Sequence, residues 1–391
     1  MAAHLCASGT KGKSMGTRNI DTTTSSSGSE FCRTTLAPFC TALVASLDAF
    51  ESMQRRFDPG LIDSLRHDLR SFAELLGTHT DRIRSIHPPG GCESTKNALV
   101  KALELTRGAL ALCIVPAGMQ ASFVNFSKAA RRICRAQEFL YPLRTRLLPV
   151  NRFFLELPVR HNADRYTPLL RPDAPIGLQH IGCDNDPYAR DGFSLFVPET
   201  YTESDARPLV IALHGGFGHG RDFIWTWIRE ARSRNFLLAA PSSHAATWSI
   251  TGEDVDGNTL RRVLEYVSDG WNVDRNCILL TGLSDGGTYA LTRALDETTP
   301  FAAFAPISGI LPPFDLRHVH GRRIYWVHGS LDWMFPLPHA MSGHTALAQA
   351  AADAHLQIVR DLSHTYPREQ NDNILTWFHP SLALPLGAQG R

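Results

Sequence analysis

The sequence predicts an α/β fold, with a mostly parallel sheet covered by helices on both faces and preceded by an all-helical region. Three observations support this prediction. Apolar residues recur at steps of three and four over residues 34–148, which is typical of amphipathic helices. After Pro149, short apolar runs alternate with helical ones. One apolar run, at residues 279–281, leads into a serine that has a glycine two residues away on each side.

The composition indicates how large a core the chain can form and what kind of partner it can bind. The chain has 391 residues, of which 43% are hydrophobic and 20% charged, so it can bury a full core and has room for more than one structural unit. Its formal net charge of +1 gives no general attraction for nucleic acid or for an anionic membrane. We therefore expect a small, nearly neutral molecule as the partner, and no nucleic acid.

Residues 1–33 are predicted to form a disordered tail, because residues 22–29 are Thr, Ser and Gly and cannot bury enough apolar area to become ordered. Lys11, Lys13 and Arg18 are reminiscent of an organelle transit peptide, but Asp21, Glu30 and the lack of an amphipathic pattern argue against one. The eight cysteines are irregularly spaced, with neither a C-x-x-C motif nor a secretory signal ahead of them. This usage predicts a reduced, cytoplasmic chain.

Residues 34–150 are predicted to form an N-terminal helical domain. Its most apolar helix, residues 98–115, contains Lys101, Glu104 and Arg107, and these charges argue against a membrane span. Proline and glycine residues at 88–91, 116 and 118 separate this helix from its neighbours. The domain is expected to cap the site, to cover the sheet edge or to form a homodimer contact.

Residues 151–391 are predicted to contain the sheet. Seven strands are expected, at residues 193–197, 209–213, 237–240, 277–281, 302–306, 324–327 and 357–359. Five helices are expected between or after them, at residues 222–233, 259–267, 288–296, 338–354 and 373–378. Residues 168–188 are rich in Pro, Gly and Asp and are predicted to form a long loop.

Ser284 is the candidate nucleophile. A serine on a sharp turn between a strand and a helix takes a strained backbone conformation, in which neighbouring side chains would collide with the strand or the helix. Gly282 and Gly286 remove those collisions, and the helix after the turn points its N-terminal amides at developing negative charge. The alternatives are a plain Gly-rich turn and a phosphate-binding loop, but neither G-x-G-x-x-G nor a P-loop lysine is present here.

Asp332 is the candidate acid. A serine hydroxyl needs a histidine to accept its proton and a carboxylate to fix the tautomer of that histidine. Asp332 follows the apolar run at residues 324–327, and the end of such a strand is where function on these sheets is placed. Its alternative role is to cap the helix that begins near Pro338. Asp361 is a weaker candidate, because it stands three residues before the candidate histidine and is too close to reach round to its ring.

His364 is the candidate base. Among the 17 histidines, it is the one in the loop after the last predicted strand. His318 and His320 could suggest a metal site, but no third ligand has a suitable spacing, and a solvated loop is the preferred interpretation. The other histidines considered fall in the loop of the acid or in the helix after it: His328, His339 and His344.

Two backbone amides are expected to stabilise the oxyanion. One is the amide of Asp285, directly after Ser284. The other is the amide of Gly216 or Phe217, in a glycine-rich segment that follows a predicted strand and in which His214 is expected to brace the loop. The alternative for this segment is a plain glycine-rich turn.

Four tryptophans lie in or near segments that are expected to surround the pocket: Trp225, Trp227, Trp248 and Trp333. Each could bind an acyl or aromatic group or pack in the core. Of the four, Trp248 and Trp333 are the predicted substrate-binding residues.

Four motifs resemble the α/β-hydrolase superfamily. They are Leu-His-Gly-Gly at 213–216, Gly-Leu-Ser-Asp-Gly-Gly at 282–287, His-Gly-Ser-Leu-Asp at 328–332 with Phe-Pro following, and Ser-His at 363–364. The chain is similar to the phospholipase/carboxylesterase branch and to esterases related to polyhydroxybutyrate depolymerases, over residues 193–378. This resemblance implies a catalytic domain at residues 151–391 and an acyl-enzyme mechanism without metal or organic cofactor. Asp285 stands where the carboxylesterases commonly have glutamine, but the chemistry requires only the backbone of this position.

The predicted function is that of a serine esterase acting on a small-molecule ester. Ser284 would attack the carbonyl carbon, His364 would transfer the proton and Asp332 would orient His364. A peptidase or thioesterase on the same fold is the first alternative, since the attack chemistry is shared. A noncatalytic protein that binds a partner through its helical half is the second.

Overall fold

The structure, a computed structural model, describes residues 26–166, 176–182, 186 and 188–384. A sheet of eight strands forms the centre of this part of the chain. The strands are β1 (Gly177–Ile181), β2 (Phe193–Val197), β3 (Arg207–Leu213), β4 (Leu237–Pro241), β5 (Val273–Leu283), β6 (Ala303–Ile307), β7 (Arg323–Gly329) and β8 (Asp353–Val359). They lie in the order β1-β2-β4-β3-β5-β6-β7-β8. β2 is antiparallel to both of its neighbours, and the remaining pairs are parallel.

Helices precede the sheet and then alternate with its strands. The N-terminal helices are α1 (Ser26–Glu30), α2 (Ala37–Arg55), α3 (Ile62–Arg84), α4 (Glu93–Ile114), α5 (Met119–Leu140) and α6 (Leu148–Phe153), with a π-helical segment at Phe31–Leu36. The later helices are α7 (Gly220–Phe223), α8 (Ile228–Arg234), α9 (Val255–Gly270), α10 (Asp285–Ala294), α11 (Leu337–Gln349) and α12 (Asn371–Phe378). Short 3-10 segments lie at Pro59–Leu61, Tyr141–Thr145, Leu157–Tyr166, Ile224–Thr226, Arg368–Gln370 and Pro380–Leu382.

Both faces of the sheet are buried, because side chains alternate along each strand and each face meets helices. In β3, Val210 and Ala212 pack in the cluster on one face, whereas Leu209 and Ile211 pack in the cluster on the other. Helices α9, α10 and α11 contribute to the second cluster, and α8 and α12 to the first. The predicted fold class, a mostly parallel sheet with helices on both faces and a helical region before it, is therefore confirmed.

The structure differs from the predicted elements at three places. The helix predicted at 222–233 is divided into α7, the 3-10 segment Ile224–Thr226 and α8. β1 lies inside the segment predicted as a long loop, where it pairs with β2; residues 168–175, 183–185 and 187 of that segment lie outside the described residues. The helix predicted at 338–354 ends at Gln349, because Ala351 takes a left-handed backbone with φ of 59° and β8 then begins at Asp353. Alanine favours helices, so the run of alanines in this segment led to the prediction of a helix where the chain in fact turns.

The helical region and one face of the sheet share a hydrophobic core. Leu43 and Phe50 of α2 belong to the same cluster of buried residues as Val210 of β3 and Leu238 of β4. The domain boundary predicted at residue 150 falls inside α6 (Leu148–Phe153). The helical region therefore adds to the hydrophobic core on this face of the sheet, together with α8 and α12.

Residues 26–33, predicted to belong to a disordered tail, are helical in the structure. Residues 1–25 lie outside the described residues. Burial of Cys32 and Leu36 against the helical region supplies the apolar contacts that order this part. By length and composition, Ser27–Arg55 is long and apolar enough to cross a membrane, but half of its most apolar 18 residues are buried inside the protein. The predicted absence of a membrane span stays a prediction.

Candidate functional site

Ser284 occupies a strained turn between β5 and α10. Its φ of 56° and ψ of −118° lie outside the regions that ordinary residues favour, and its amide donates to the carbonyl of Ile307 at 2.8 Å. A Cβ built on Gly282 would lie 2.5 Å from the backbone of Gly286. A Cβ built on Gly286 would lie 2.5 Å from the carbonyl oxygen of His214. The predicted reason for the two glycines is therefore confirmed.

Gly286→Ala is expected to destabilise the protein by about 3 kcal/mol, because the new methyl group would meet backbone atoms of β3 that have no room to move. Gly90→Ala is the matched control: no atom lies within 4 Å of a Cβ built there. Urea unfolding of both variants measures the difference. Equal free energies of unfolding for Gly286→Ala and Gly90→Ala would contradict the close packing at the turn.

The structure brings the three predicted catalytic side chains together. Nε2 of His364 lies 2.9 Å from Oγ of Ser284, and Nδ1 of His364 lies 2.9 Å from Oδ2 of Asp332. Asp332 follows β7 and His364 follows β8, so neighbouring parallel strands deliver both residues to the edge of the sheet where β5 ends at Ser284. A hydroxyl with a hydrogen-bonded imidazole can lose its proton as it attacks an electrophile.

The carboxylate of Asp332 has a fixed orientation. Its side chain is fully buried, and Oδ1 accepts hydrogen bonds from the amides of Met334 at 3.0 Å and Phe335 at 2.7 Å. The ring of Phe335 meets the imidazole of His364 edge-on, with 5.1 Å between the ring centroids. His328 donates from Nε2 to the carbonyl of Phe335 at 2.7 Å, and its burial lowers its own pKa, so its neutral ring braces this loop.

His214 braces the loop that follows β3, as predicted. Its Nδ1 donates to the carbonyl of Gly215 at 2.7 Å, and its Nε2 accepts from the amide of Ser243 at 3.1 Å. This pattern requires a neutral ring, and burial lowers the pKa of His214 to about 3. A Cβ built on Gly215 would lie 3.5 Å from Cβ of Ser284, so the braced loop adjoins the nucleophile.

The three backbone amides that are candidates for binding the oxyanion differ in whether another group of the protein already accepts their hydrogen bond. The amide of Phe217 donates to the carbonyl of Ala246 at 2.8 Å, which corrects the prediction that it is available to a ligand. Among the hydrogen bonds of the described residues, none uses the amide of Gly216 or of Asp285. The carboxylate of Asp285 accepts from the hydroxyl of Thr247 at 2.5 Å and lies against Gly216, where a Cβ would approach Oδ2 to 2.6 Å. Sequence reasoning missed Thr247, because it lies 38 residues before Asp285.

The tryptophans divide between the core and the surface. Trp248 is 2% exposed, stacks on Tyr289 and donates from its indole nitrogen to the carbonyl of His214 at 2.7 Å. Its predicted role in binding substrate is therefore wrong, since its buried ring supports the loop that follows β3. Trp333 is 44% exposed next to Asp332, and its ring contacts Phe123 of α5. The other two of the four tryptophans considered in the sequence analysis are buried in the core: Trp225 and Trp227.

The rival candidates do not join this group. Asp361 is hydrogen-bonded to Arg55, which lowers the pKa of its carboxyl group, and its side chain is 80% exposed. Among the described residues, no group of three His, Cys, Asp or Glu side chains could hold a metal ion. The described residues therefore offer no third ligand for a metal ion at His318 and His320.

No family model matches the chain. A curated relative, the bifunctional acetylxylan esterase/xylanase XynS20E of Neocallimastix patriciarum, is 27% identical over 127 residues, covering 29% of this chain. The match covers only 19% of the length of that relative.

Solved structures of esterases and peptidases resemble parts of the chain. They include a thermostable esterase (21% identical, TM-score 0.38, covering 43% of this chain and 50% of that one) and esterase PE8 (20% identical, TM-score 0.37, covering 46% and 94%). A third is the acylaminoacyl peptidase of Pyrococcus horikoshii (15% identical, TM-score 0.40, covering 50% and 40%). None of the relatives named here is described as a polyhydroxybutyrate depolymerase, so that finer resemblance stays a prediction. By the order of its strands and the strained serine turn after β5, the chain has the α/β-hydrolase fold.

Proposed function

We propose that the chain is a serine hydrolase that cleaves carboxylic esters through an acyl-enzyme intermediate. The observation that carries the proposal is the continuous line of hydrogen bonds from Ser284 through His364 to Asp332, with distances of 2.9 Å on both sides of the imidazole. This is the geometry that a hydroxyl nucleophile needs in order to react near neutral pH.

In the acylation step, Oγ of Ser284 forms a bond to the carbonyl carbon of the ester while its proton moves to Nε2 of His364. Asp332 stabilises the resulting imidazolium through Nδ1. The carbonyl oxygen becomes negatively charged and lies between the amides of Gly216 and Asp285, which have no acceptor within the described residues. Collapse of this intermediate expels the alcohol, which takes the proton from His364, and leaves the acyl group on Ser284.

In the deacylation step, a water molecule gives a proton to His364 as its oxygen attacks the acyl carbon. The bond to Oγ of Ser284 then breaks, the carboxylic acid leaves, and His364 returns the proton to Ser284. The amides of Gly216 and Asp285 serve both steps, because the negative charge develops on the same oxygen each time.

One observation favours an ester as the substrate class: the curated relative is described as an acetylxylan esterase. The expected substrate is small and uncharged, in keeping with the formal net charge of +1. The same steps would also cleave an amide or a thioester, so the substrate class must be tested directly.

Reaction with a fluorophosphonate probe tests the proposed nucleophile. The probe is expected to add one phosphonyl group per folded chain, and peptide mapping is expected to find it on Ser284. Heat-unfolded protein serves as the control and should remain unlabelled. If the folded chain stays unlabelled, or if the adduct lies on another residue, the proposed mechanism is wrong.

A set of p-nitrophenyl esters of increasing acyl length, compared with a peptide amide and an acyl thioester, tests the substrate class. We expect the highest kcat/KM for one of the esters. Turnover of the amide alone would instead identify a peptidase.

A further inference from the structure

The segment that carries His364 is held by the helical region. We call residues 361–369, which follow β8 and include the start of the 3-10 segment Arg368–Gln370, the base segment. On both sides of His364, a side chain of the base segment bonds to the end of α2 or to the turn that follows it. Ser363 donates from Oγ to Oδ2 of Asp58 at 3.1 Å, and Thr365 donates from Oγ1 to the carbonyl of Arg55 at 3.1 Å.

Arg55 also joins the two ends of the base segment. Its Nη2 donates to Oδ1 of Asp361 at 3.0 Å, and its Nε donates to Oε1 of Glu369 at 2.5 Å. The side chain of Arg55 is 19% exposed, whereas those of Asp361 and Glu369 are 80% and 47% exposed, so solvent screens both ion pairs. The guanidinium group nevertheless bonds to the first and the last residue of the base segment, which contains His364.

The groups that hold the base segment are themselves fixed. Phe57, between Arg55 and Asp58, is buried and stacks on Phe126 of α5 with 4.3 Å between the ring centroids. Asp58 uses its second oxygen to accept the amide of Gly60 at 2.8 Å, which starts the 3-10 segment Pro59–Leu61. The contact with the base segment is thus made by an anchored part of the helical region.

We propose that Arg55 and Asp58 are positioning residues for His364, so that the helical region sets the efficiency of the catalytic domain. This inference rests on the proposed function. The imidazole must face Ser284 on one side and Asp332 on the other, and both distances are 2.9 Å. A displacement of about 1 Å from such a geometry can lower a rate by up to about a hundredfold.

Two substitutions remove the contacts, and two others serve as controls. Asp58→Ala removes the acceptor for Ser363, and Arg55→Ala removes the bridge between Asp361 and Glu369. Asp58→Asn is the conservative control, since its amide group can still donate to the Ser363 hydroxyl while its oxygen accepts from Gly60. Arg56→Ala is the matched arginine control, because Arg56 pairs with Asp68 inside the helical region.

The readout is kcat per active site with p-nitrophenyl acetate, where the fluorophosphonate probe counts the competent sites. We expect Asp58→Ala and Arg55→Ala to lower kcat per site about tenfold with KM nearly unchanged. Asp58→Asn and Arg56→Ala should retain the wild-type kcat. The double variant Asp58→Ala/Ser363→Ala should lose no more than Asp58→Ala alone, since both changes remove the same hydrogen bond.

Two outcomes would overturn the inference. Wild-type kcat per site in both Arg55→Ala and Asp58→Ala would show that the base does not depend on these contacts. A fall in the number of labelled sites, with kcat per site unchanged, would assign them to folding alone. If Ser284→Ala kept its activity, the proposed function would fail instead, so the two failures are distinguishable.

Discussion

Ser284→Ala is expected to lower kcat for p-nitrophenyl ester hydrolysis by about a millionfold, the cost of removing the nucleophile from a set of residues that act as a unit. Oγ is the atom that forms the covalent bond, and no other hydroxyl hydrogen-bonds to His364 within the described residues. Steady-state kinetics with the wild-type protein and the variant, prepared side by side, measure the effect.

The variant must remain folded for this result to count. Alanine can replace serine at φ of 56° with little change in strain, so the melting temperature should shift only slightly. Ser342→Ala, at an exposed position of α11, is the matched serine control and should retain full activity. Substantial turnover by purified Ser284→Ala would mean that another group performs the attack.

Asp332→Asn is expected to lower kcat by about four orders of magnitude while KM stays nearly unchanged. The amides of Met334 and Phe335 both donate to Oδ1, so an asparagine would keep its oxygen there and turn its amide nitrogen toward His364. That nitrogen is a donor, so Nδ1 of His364 would have to accept. The proton would then sit on Nε2, where it prevents the ring from accepting the proton of Ser284.

Asp361→Asn separates the two candidate carboxylates. It removes the charge of an exposed side chain that bonds to Arg55, and we expect it to lower kcat by no more than about tenfold. If instead Asp361→Asn lost activity as severely as Asp332→Asn, the assignment of the acid would have to be reconsidered.

The fold and the three candidate catalytic side chains could be predicted from local sequence patterns. Each of the seven predicted strands overlaps an observed strand. In six of them the prediction rested on an apolar run of four or five residues between turn signals, which is itself the physical requirement for a buried strand. Ser284, Asp332 and His364 could be found because each directly follows or soon follows such a strand. Parallel strands bring their carboxyl ends to one edge of the sheet. The position of each residue just after a strand was therefore enough to predict that the three lie close together.

The contacts that tune the site could not be predicted in the same way. Thr247 bonds to Asp285, and Arg131 of α5 donates to the carbonyl of Phe217, across 38 and 86 residues of chain. Such partners depend on how separate elements pack, which no local pattern encodes. The incorrect prediction for Trp248 has the same cause. The sequence does not show whether an aromatic residue near a site faces the ligand or the core.

The hydrophobic cluster that α2 shares with β3 and β4 has a consequence for how the chain can be divided. A fragment that begins at residue 151 would expose the apolar side chains that pack against the helical region, although α8 and α12 would still contribute to the core on this face of the sheet. It would also lose Arg55 and Asp58, and its exposed apolar surface is expected to cause aggregation. Although the helical region supplies none of the three candidate catalytic side chains, it shares a hydrophobic core with the sheet, so the two parts are expected to fold together and a shortened chain should keep both.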